Sequence, residues 1–283
     1  MVLYVRSATM TDHRRTIGKV ELVSLTDGHG TESPTKVFPA STAKIWKEEY
    51  PELLDNQGLF HPRWGSVAIR SSGKLLIVDT GDGPPAGMLV DDMRNKGVRP
   101  ENVDFVVTTH MHGDHIGWNV TNGQPTFPNA RYLVPKADYE YWTSAEVLES
   151  PPTPGDSRPK VQTQVMPLLD LGMIDLISGE HQITDEVTAL PTPGHTPGHT
   201  SITVSSDGKR GFILGDVTHT PAQVHYTNWS PTADVDPDVA RSTRHRVMDR
   251  LEREGSLVSA GHYPAPGFGR LARREGRRYW QTA

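Results

Sequence analysis

Short apolar runs recur along the chain at 20–25, 75–79, 103–108, 187–190, 201–205, 211–214 and 257–260, each rich in β-branched residues or leucine and bounded by Gly, Pro, Asp or Asn. Runs of this length between such boundaries predict buried β-strands. Helical signals fall between them. The plainest starts at Asp236, an N-capping residue, with Pro237 at the first helical position and Gly255 just past the end. Its apolar positions Val239, Ala240, Val247, Met248 and Leu251 fall on one stripe. A second helix is expected over 85–96, stopped by Gly97, and a third over 137–148, carrying Tyr141, Trp142 and Leu148. A Pro-rich insert follows at 150–167. The connection 31–62 is long enough to form an arm over a site or a subunit contact. Strands toward both ends with helices dispersed between them predict two β-rich halves covered by helices. No repeat or linker divides the chain, so residues 1–283 are read as a single domain.

Composition narrows the chemistry more than the fold. Hydrophobic residues make up only 35%, yet 283 residues can still bury a sizeable core. The net charge of −5 argues against nucleic acid, whose phosphates want a basic surface. One basic cluster, Arg270, Arg273, Arg274, Arg277 and Arg278, reads as a solvated face or a subunit contact such as a homodimer would use. There is no cysteine, which rules out disulfides, thiolate metal ligands and a cysteine nucleophile; any metal must be held by nitrogen and oxygen. The opening MVLYVRSATMTDHRR has no apolar core of signal-peptide length, and no run approaches a membrane span. A soluble cytoplasmic protein without membrane contact is expected.

The chemistry concentrates in Thr109-His110-Met111-His112-Gly113-Asp114-His115, on the loop that follows the strand expected at 103–108. Residues two apart in extended backbone point the same way, so His110 and His112 can face one ion. A turn at Gly113 would bring Asp114 and His115 round to the other side. Three further pieces follow in order, each where an expected strand gives way to a loop: Pro193-Gly194-His195-Thr196-Pro197-Gly198-His199, Gly215-Asp216 and Gly261-His262. Nitrogen and carboxylate donors suit zinc best, and manganese, iron, cobalt or nickel also fit.

From about residue 20 to residue 262 this series resembles the metallo-β-lactamase superfamily. The HxHxDH signature is matched by His110, His112, Asp114 and His115, preceded by an aspartate that ends an earlier strand, Asp79 in Ile77-Val78-Asp79-Thr80-Gly81. The resemblance implies an α/β fold, an αββα sandwich of two facing mixed β-sheets flanked by helices, with two divalent metal ions at one edge. It implies that His110, His112 and His199 bind the first ion, that Asp114, His115 and His262 bind the second, and that Asp216 bridges them. Asp79 would orient the ligand loop through hydrogen bonds, and His195 is read as structural. Hydroxide formed between two such ions would attack an ester or lactone carbonyl, with Asp114 shuttling the proton to the leaving group. His219, three residues past Asp216, stands where lactonases of the superfamily often carry a tyrosine that supports the substrate carbonyl. The sequence departs from them there, although imidazole could donate to the same oxygen.

Trp118, Phe60, Trp64, Tyr226, Trp229 and Phe268 lie near expected loops and together lean toward apolar walls around a small-molecule substrate. β-Lactamases with a cysteine ligand are excluded. The glutamate ligand and flavin domain of diiron reductases and the added domains of ribonucleases are not visible, and residues to grip glutathione in a glyoxalase-type thioesterase are not obvious. The leading expectation is a lactonase resembling those that act on N-acyl homoserine lactones. An organophosphate triesterase, resembling the methyl parathion hydrolases, or a thioesterase stands behind it. An iron-dependent oxygenase or a metal-binding protein without turnover belongs to another class: one iron per chain would favour oxidation, two redox-silent ions hydrolysis.

Overall fold

A computed structural model describes residues 13–151 and 156–283; residues 1–12, read for a targeting signal, and 152–155 of the Pro-rich insert lie outside the described residues. The first of two seven-stranded sheets is built from β1 (Arg14–Ile17), β2 (Val20–His29), β3 (Arg63–Ser71), β4 (Lys74–Val78) and β5 (Phe105–Val107) and, past a small hairpin of β6 (Val120–Thr121) and β7 (Gln124–Pro125), β8 (Arg131–Pro135) and β9 (Ile174–Ile177). Pairing is antiparallel from β1 to β4 and parallel from β4 through β5 and β8 to β9. The second sheet orders β10 (His181–Gln182), β11 (Val187–Pro191), β12 (Thr200–Ser206), β13 (Lys209–Ile213), β14 (Leu257–Ser259), β15 (Phe268–Arg274) and β16 (Arg277–Thr282), with one parallel pair, β13 and β14. Both sheets are mixed, and helices flank them as the resemblance implied.

Period-two alternation makes the layers. Val20 and Leu22 of β2, Val67 and Ile69 of β3, and Leu76 and Val78 of β4 meet Val187, Ala189, Ile202 and Val204 of the second sheet in one core between the sheets. Their neighbours Val23, Leu25, Ala68, Leu75 and Ile77 face outward onto Leu89 and Met93 of the helix Leu89–Asn95. On the other side Val247, Met248 and Leu251 of the helix Pro237–Glu254 pack on Phe212, Leu214 and Val258. That helix has the ends its sequence announces: the Asp236 carboxylate accepts from the N–H of Asp238 at 3.2 Å and of Val239 at 3.0 Å, and Gly255 closes it at φ +60°. Val239 itself is exposed, since the buried stripe begins one residue later at Ala240.

Other expectations are corrected. The helix expected over 137–148 is two, Lys136–Trp142 and Ala145–Glu149, because the Ser144 hydroxyl caps the second by accepting from Val147 N–H at 3.3 Å. The helix expected from 85 begins only at Leu89, because the buried Asp27 carboxylate takes the N–H groups of Gly83 at 2.7 Å and Leu89 at 2.6 Å and shapes the chain between them as a loop. The Pro-rich insert contains the helix Arg158–Gln164. β3, absent from the expected strands, pairs on both sides within the first sheet. The C-terminal arginines belong to the β15–β16 hairpin and are tied to their own chain: Arg273 and Arg278 pair with Glu252, and Arg277 with Glu49. The connection 31–62 folds as an arm in which Phe38, Trp46 and Phe60 pack on Ala222 and Trp229, covering the loop beyond Asp216. Phe60 and Trp229 are therefore buried packing rather than open pocket walls, and Phe268 is buried in the core between the sheets. No helix among the described residues is long and apolar enough to cross a membrane.

Candidate metal centre

The segments that carry Asp79 and the expected ligands follow β4, β5, β11, β13 and β14. β4 stops where Asp79 turns left-handed, at φ +60°, a conformation aspartate tolerates better than most residues. Its carboxylate then organises the next loop. Oδ1 accepts Thr109 N–H at 2.7 Å, and Oδ2 accepts the Thr109 hydroxyl and His115 Nδ1–H, both at 2.8 Å. Having donated to Asp79, the Thr109 hydroxyl accepts from His110 Nδ1 at 3.0 Å. One carboxylate thereby sets two imidazole rings. Asp138, which no motif marks, accepts Met111 N–H at 2.8 Å and Gly198 N–H at 2.7 Å, and so joins the ligand loop to the 193–199 turn.

Two donor groups result. In the first, His112 Nδ1 lies 3.1 Å from His110 Nε2 and 2.9 Å from His195 Nε2. In the second, Asp114, His115 and His262 offer atoms within 4.8 Å of one another. Asp216 stands between them: Oδ2 is 3.3 Å from His195 Nε2 and 3.0 Å from His262 Nε2, and Oδ1 is 3.4 Å from His115 Nε2. Of the expected ligands, the structure gathers His110, His112, Asp114, His115, Asp216 and His262.

The placement of His199 is corrected. Its Nδ1–H donates to Thr192 O at 3.0 Å and its Nε2 accepts Asp216 N–H at 2.8 Å, so both ring nitrogens are spent on backbone. Gly215 makes room for this contact, since a Cβ there would come 2.6 Å from His199 Nε2. His195, read from the sequence as structural, takes the place beside His110 and His112. Its turn docks on the long helix at Gly194, φ +130°, where a Cβ would come 2.2 Å from Ala240 N. The available signal was position: His199 abuts β12, whose Thr200 N–H bonds Thr109 O at 2.8 Å and draws that residue beneath the loop, whereas His195 sits at the tip of the turn.

Electrostatics divide the histidines. Burial, and then the neighbouring imidazoles, hold His110 and His195 well below the usual histidine range, and burial brings His112 down to about 4. These rings are neutral at pH 7 and present lone pairs. For His115 and His262 burial would do the same, but the carboxylates around them, Asp216 foremost, outweigh it and raise both. Burial would raise Asp216; His262, His115 and His219 hold it well below the carboxylate range instead. His115 Nε2 and Asp216 Oδ1 are buried without any hydrogen-bond partner. Atoms left so cost about 1–3 kcal/mol each, and nitrogen lone pairs and carboxylate oxygens converging in this way fit divalent cations.

His219 is near this cluster but built differently. Its Nε2 is 3.0 Å from Asp216 Oδ2 without the geometry of a hydrogen bond, and neither ring nitrogen has a partner. The other nitrogens of His115, His195 and His262 are anchored by Asp79, Asp234 and Arg63 O; His219 Nδ1 is not. Its ring lies parallel to that of His262 at 5.3 Å and edge-on to Phe38 at 6.5 Å.

A family model, that of the metallo-beta-lactamase superfamily, matches residues 66–262. An N-acyl homoserine lactonase from a Bacillus species is 26% identical over 248 residues, covering 84% of this chain and 85% of the relative. The N-acyl homoserine lactonase AiiA of Bacillus thuringiensis subsp. kurstaki is 24% identical over 224 residues, 76% of this chain and 77% of its own. Among solved structures, the hydrolase AbOPH superposes with a TM-score of 0.86 at 23% identity, covering 98% of this chain and 99% of that one. AidC, a dizinc quorum-quenching lactonase in complex with a product, superposes at 0.84 with 21% identity, over 95% and 96%. At these identities the superpositions speak for the fold.

Proposed function

The chain belongs to the metallo-beta-lactamase superfamily, and on that premise we propose that it is a two-metal hydrolase that opens lactone rings, with N-acyl homoserine lactones as its substrate class. The observation that carries this is Asp216, one buried carboxylate reaching both donor groups, 3.3 Å from His195 Nε2 and 3.4 Å from His115 Nε2. His110 Nε2, His112 Nδ1 and His195 Nε2 would hold one ion, Asp114, His115 Nε2 and His262 Nε2 the other, and Asp216 both. Seven ligands are more than one four-coordinate ion uses, and the donor set suits zinc. The substrate class is supported by the lactonase relatives, among them the two described above, which match 84% and 76% of this chain.

When bound, two such ions supply a water that ionises near neutral pH and an electrophile for the carbonyl oxygen. The chain's own groups handle the proton and the developing charge. Burial would raise Asp114, but His115 and His262 outweigh it and keep it ionised. With its side chain 29% exposed against 4% for Asp216, Asp114 is the carboxylate open to the reacting face, placed to take the proton and deliver it to the leaving alkoxide. His219, unanchored and backed by Phe38, donates from its ring N–H to the carbonyl oxygen as it gains charge.

The test is turnover of the metal-loaded protein, followed by proton release, against N-acyl homoserine lactones, simple lactones, phosphotriesters, thioesters and β-lactams. The highest kcat/KM is expected on the acyl homoserine lactones, with most of it lost in Asp216→Ala. Protein that holds two ions yet leaves lactones intact, or prefers another class, overturns the proposal.

A further inference from the structure

Asp234 belongs to no motif, yet its side chain is 0% exposed. Its two oxygens are divided between two tasks. Oδ1 accepts His195 Nδ1–H at 2.9 Å, and Oδ2 accepts from Arg244 at 3.2 Å. Arg244, in the helix Pro237–Glu254, is itself buried and gives its remaining donors to carbonyls: Nε to Val217 O at 2.7 Å, and a terminal nitrogen to Thr227 O at 3.2 Å and Trp229 O at 2.9 Å. Val217 directly follows Asp216. The backbone beside Asp234 grips the same turn, Val235 N–H donating to His195 O and Asp236 N–H to Gly194 O, both at 2.9 Å.

We propose that Asp234, held in place by Arg244, is a positioning residue for the first metal site: it fixes His195 with Nε2 toward the ion and strengthens that nitrogen as a donor. The inference rests on His195 being a ligand. A carboxylate that accepts the hydrogen bond from Nδ1–H keeps the proton on Nδ1 and the lone pair on Nε2, fixes the ring plane and raises the electron density of the imidazole. A buried carboxylate without a counter-charge is costly, and Arg244 supplies that charge while turning Oδ1 toward His195. Arg244 also holds the carbonyl next to Asp216, the carboxylate shared by both sites, whereas Asp234 touches a histidine of the first site alone. The histidines of the second site are braced elsewhere, His115 by Asp79 and His262 by Arg63 O. The effect of Asp234 on metal binding is therefore selective.

The experiment titrates both sites with cobalt(II), read by its visible absorption, in competition with a chelator of known affinity. Wild type, His195→Ala, Asp234→Asn and Asp234→Glu are compared, each with its thermal melt. Wild type takes up two ions and His195→Ala one. Asp234→Asn binds one of its two ions about 10–100-fold more weakly and the other as wild type does, and Asp234→Glu recovers part of the loss. If His195→Ala loses an ion while Asp234→Asn keeps both affinities, or weakens both equally, the role of Asp234 is refuted and His195 stands as a ligand. If His195→Ala holds two ions at wild-type affinity, the assignment of His195 itself fails. Should Asp234→Asn not fold, Arg244→Lys, which keeps the charge but loses the planar fork, is expected to weaken the first-site ion more than the second; wild-type affinity for both ions, or equal weakening of both, refutes the proposal.

Discussion

Two histidines four positions apart in the 193–199 turn have their ring nitrogens engaged in opposite ways. The Nε2 lone pair of His199 is occupied by Asp216 N–H, whereas His195 turns Nε2 toward His112 at 2.9 Å. His199→Ala is therefore expected to keep two ions but to leave a buried N–H unmet, lowering unfolding free energy by about 1–3 kcal/mol. His195→Ala is expected to lose one ion and most turnover. Metal analysis beside urea unfolding separates the two, and one ion in His199→Ala would reverse the assignment. For His219, replacement by Ala should lower kcat on the order of a hundredfold with metal content unchanged, and His219→Tyr should regain part of it. If the ring only packs on Phe38 and His262, the melting temperature falls and kcat per folded molecule does not. Residue types and their order were legible in the sequence; which nitrogen faces the centre was not. Asp234 and Arg244 were invisible because their roles depend on burial and on partners 39 and 10 positions away.

Elements were readable where their signals are local. The helix Pro237–Glu254 announced its ends through Asp236, Pro237 and Gly255. β3 did not, because Arg63 at its start looks solvent-facing, yet its guanidinium is buried and donates to the carbonyls of Leu25 at 2.8 Å, Tyr263 at 3.0 Å and Ala260 at 3.2 Å. The arginine-rich hairpin was hidden for a related reason: its charges are answered by Glu252 on the long helix, a distant partner. Glu252 is held down to about 2, chiefly by its hydrogen bond with Arg273 and also by Arg278. A carboxylate whose folded value lies below its ordinary 4.5 adds stability above that pH and loses it as the pH falls through the folded value. Glu252→Gln should thus be less stable at pH 7 by under about 1 kcal/mol, the pair being partly screened by solvent. Urea midpoints of the two proteins should converge between about pH 4.5 and pH 2; a gap that stays constant or widens would contradict this.

The molecule as a whole is two sheets sharing one core, and the donors come from both. His110, His112, Asp114 and His115 follow β5 of the first sheet; His195, Asp216 and His262 follow β11, β13 and β14 of the second. Sandwich architecture was legible because the short apolar runs and the ordered histidine segments point to the same fold; the seating of the 31–62 arm was not, since its aromatic cluster forms only against Ala222 and Trp229. Ions shared by both sheets should act as a cross-link. An ion present at a hundred times its Kd adds about 2.7 kcal/mol, so chelation should lower the melting temperature and re-addition restore it; an unchanged melt would argue against ligands shared between the sheets. The most direct test is a crystal structure of the metal-loaded protein with anomalous data collected at the metal edge. Two peaks per chain are expected, one about 2.1 Å from His110 Nε2, His112 Nδ1 and His195 Nε2, the other beside Asp114, His115 and His262, with Asp216 reaching both. A single peak, or a first peak held by His199 in place of His195, would contradict the two-metal centre described above.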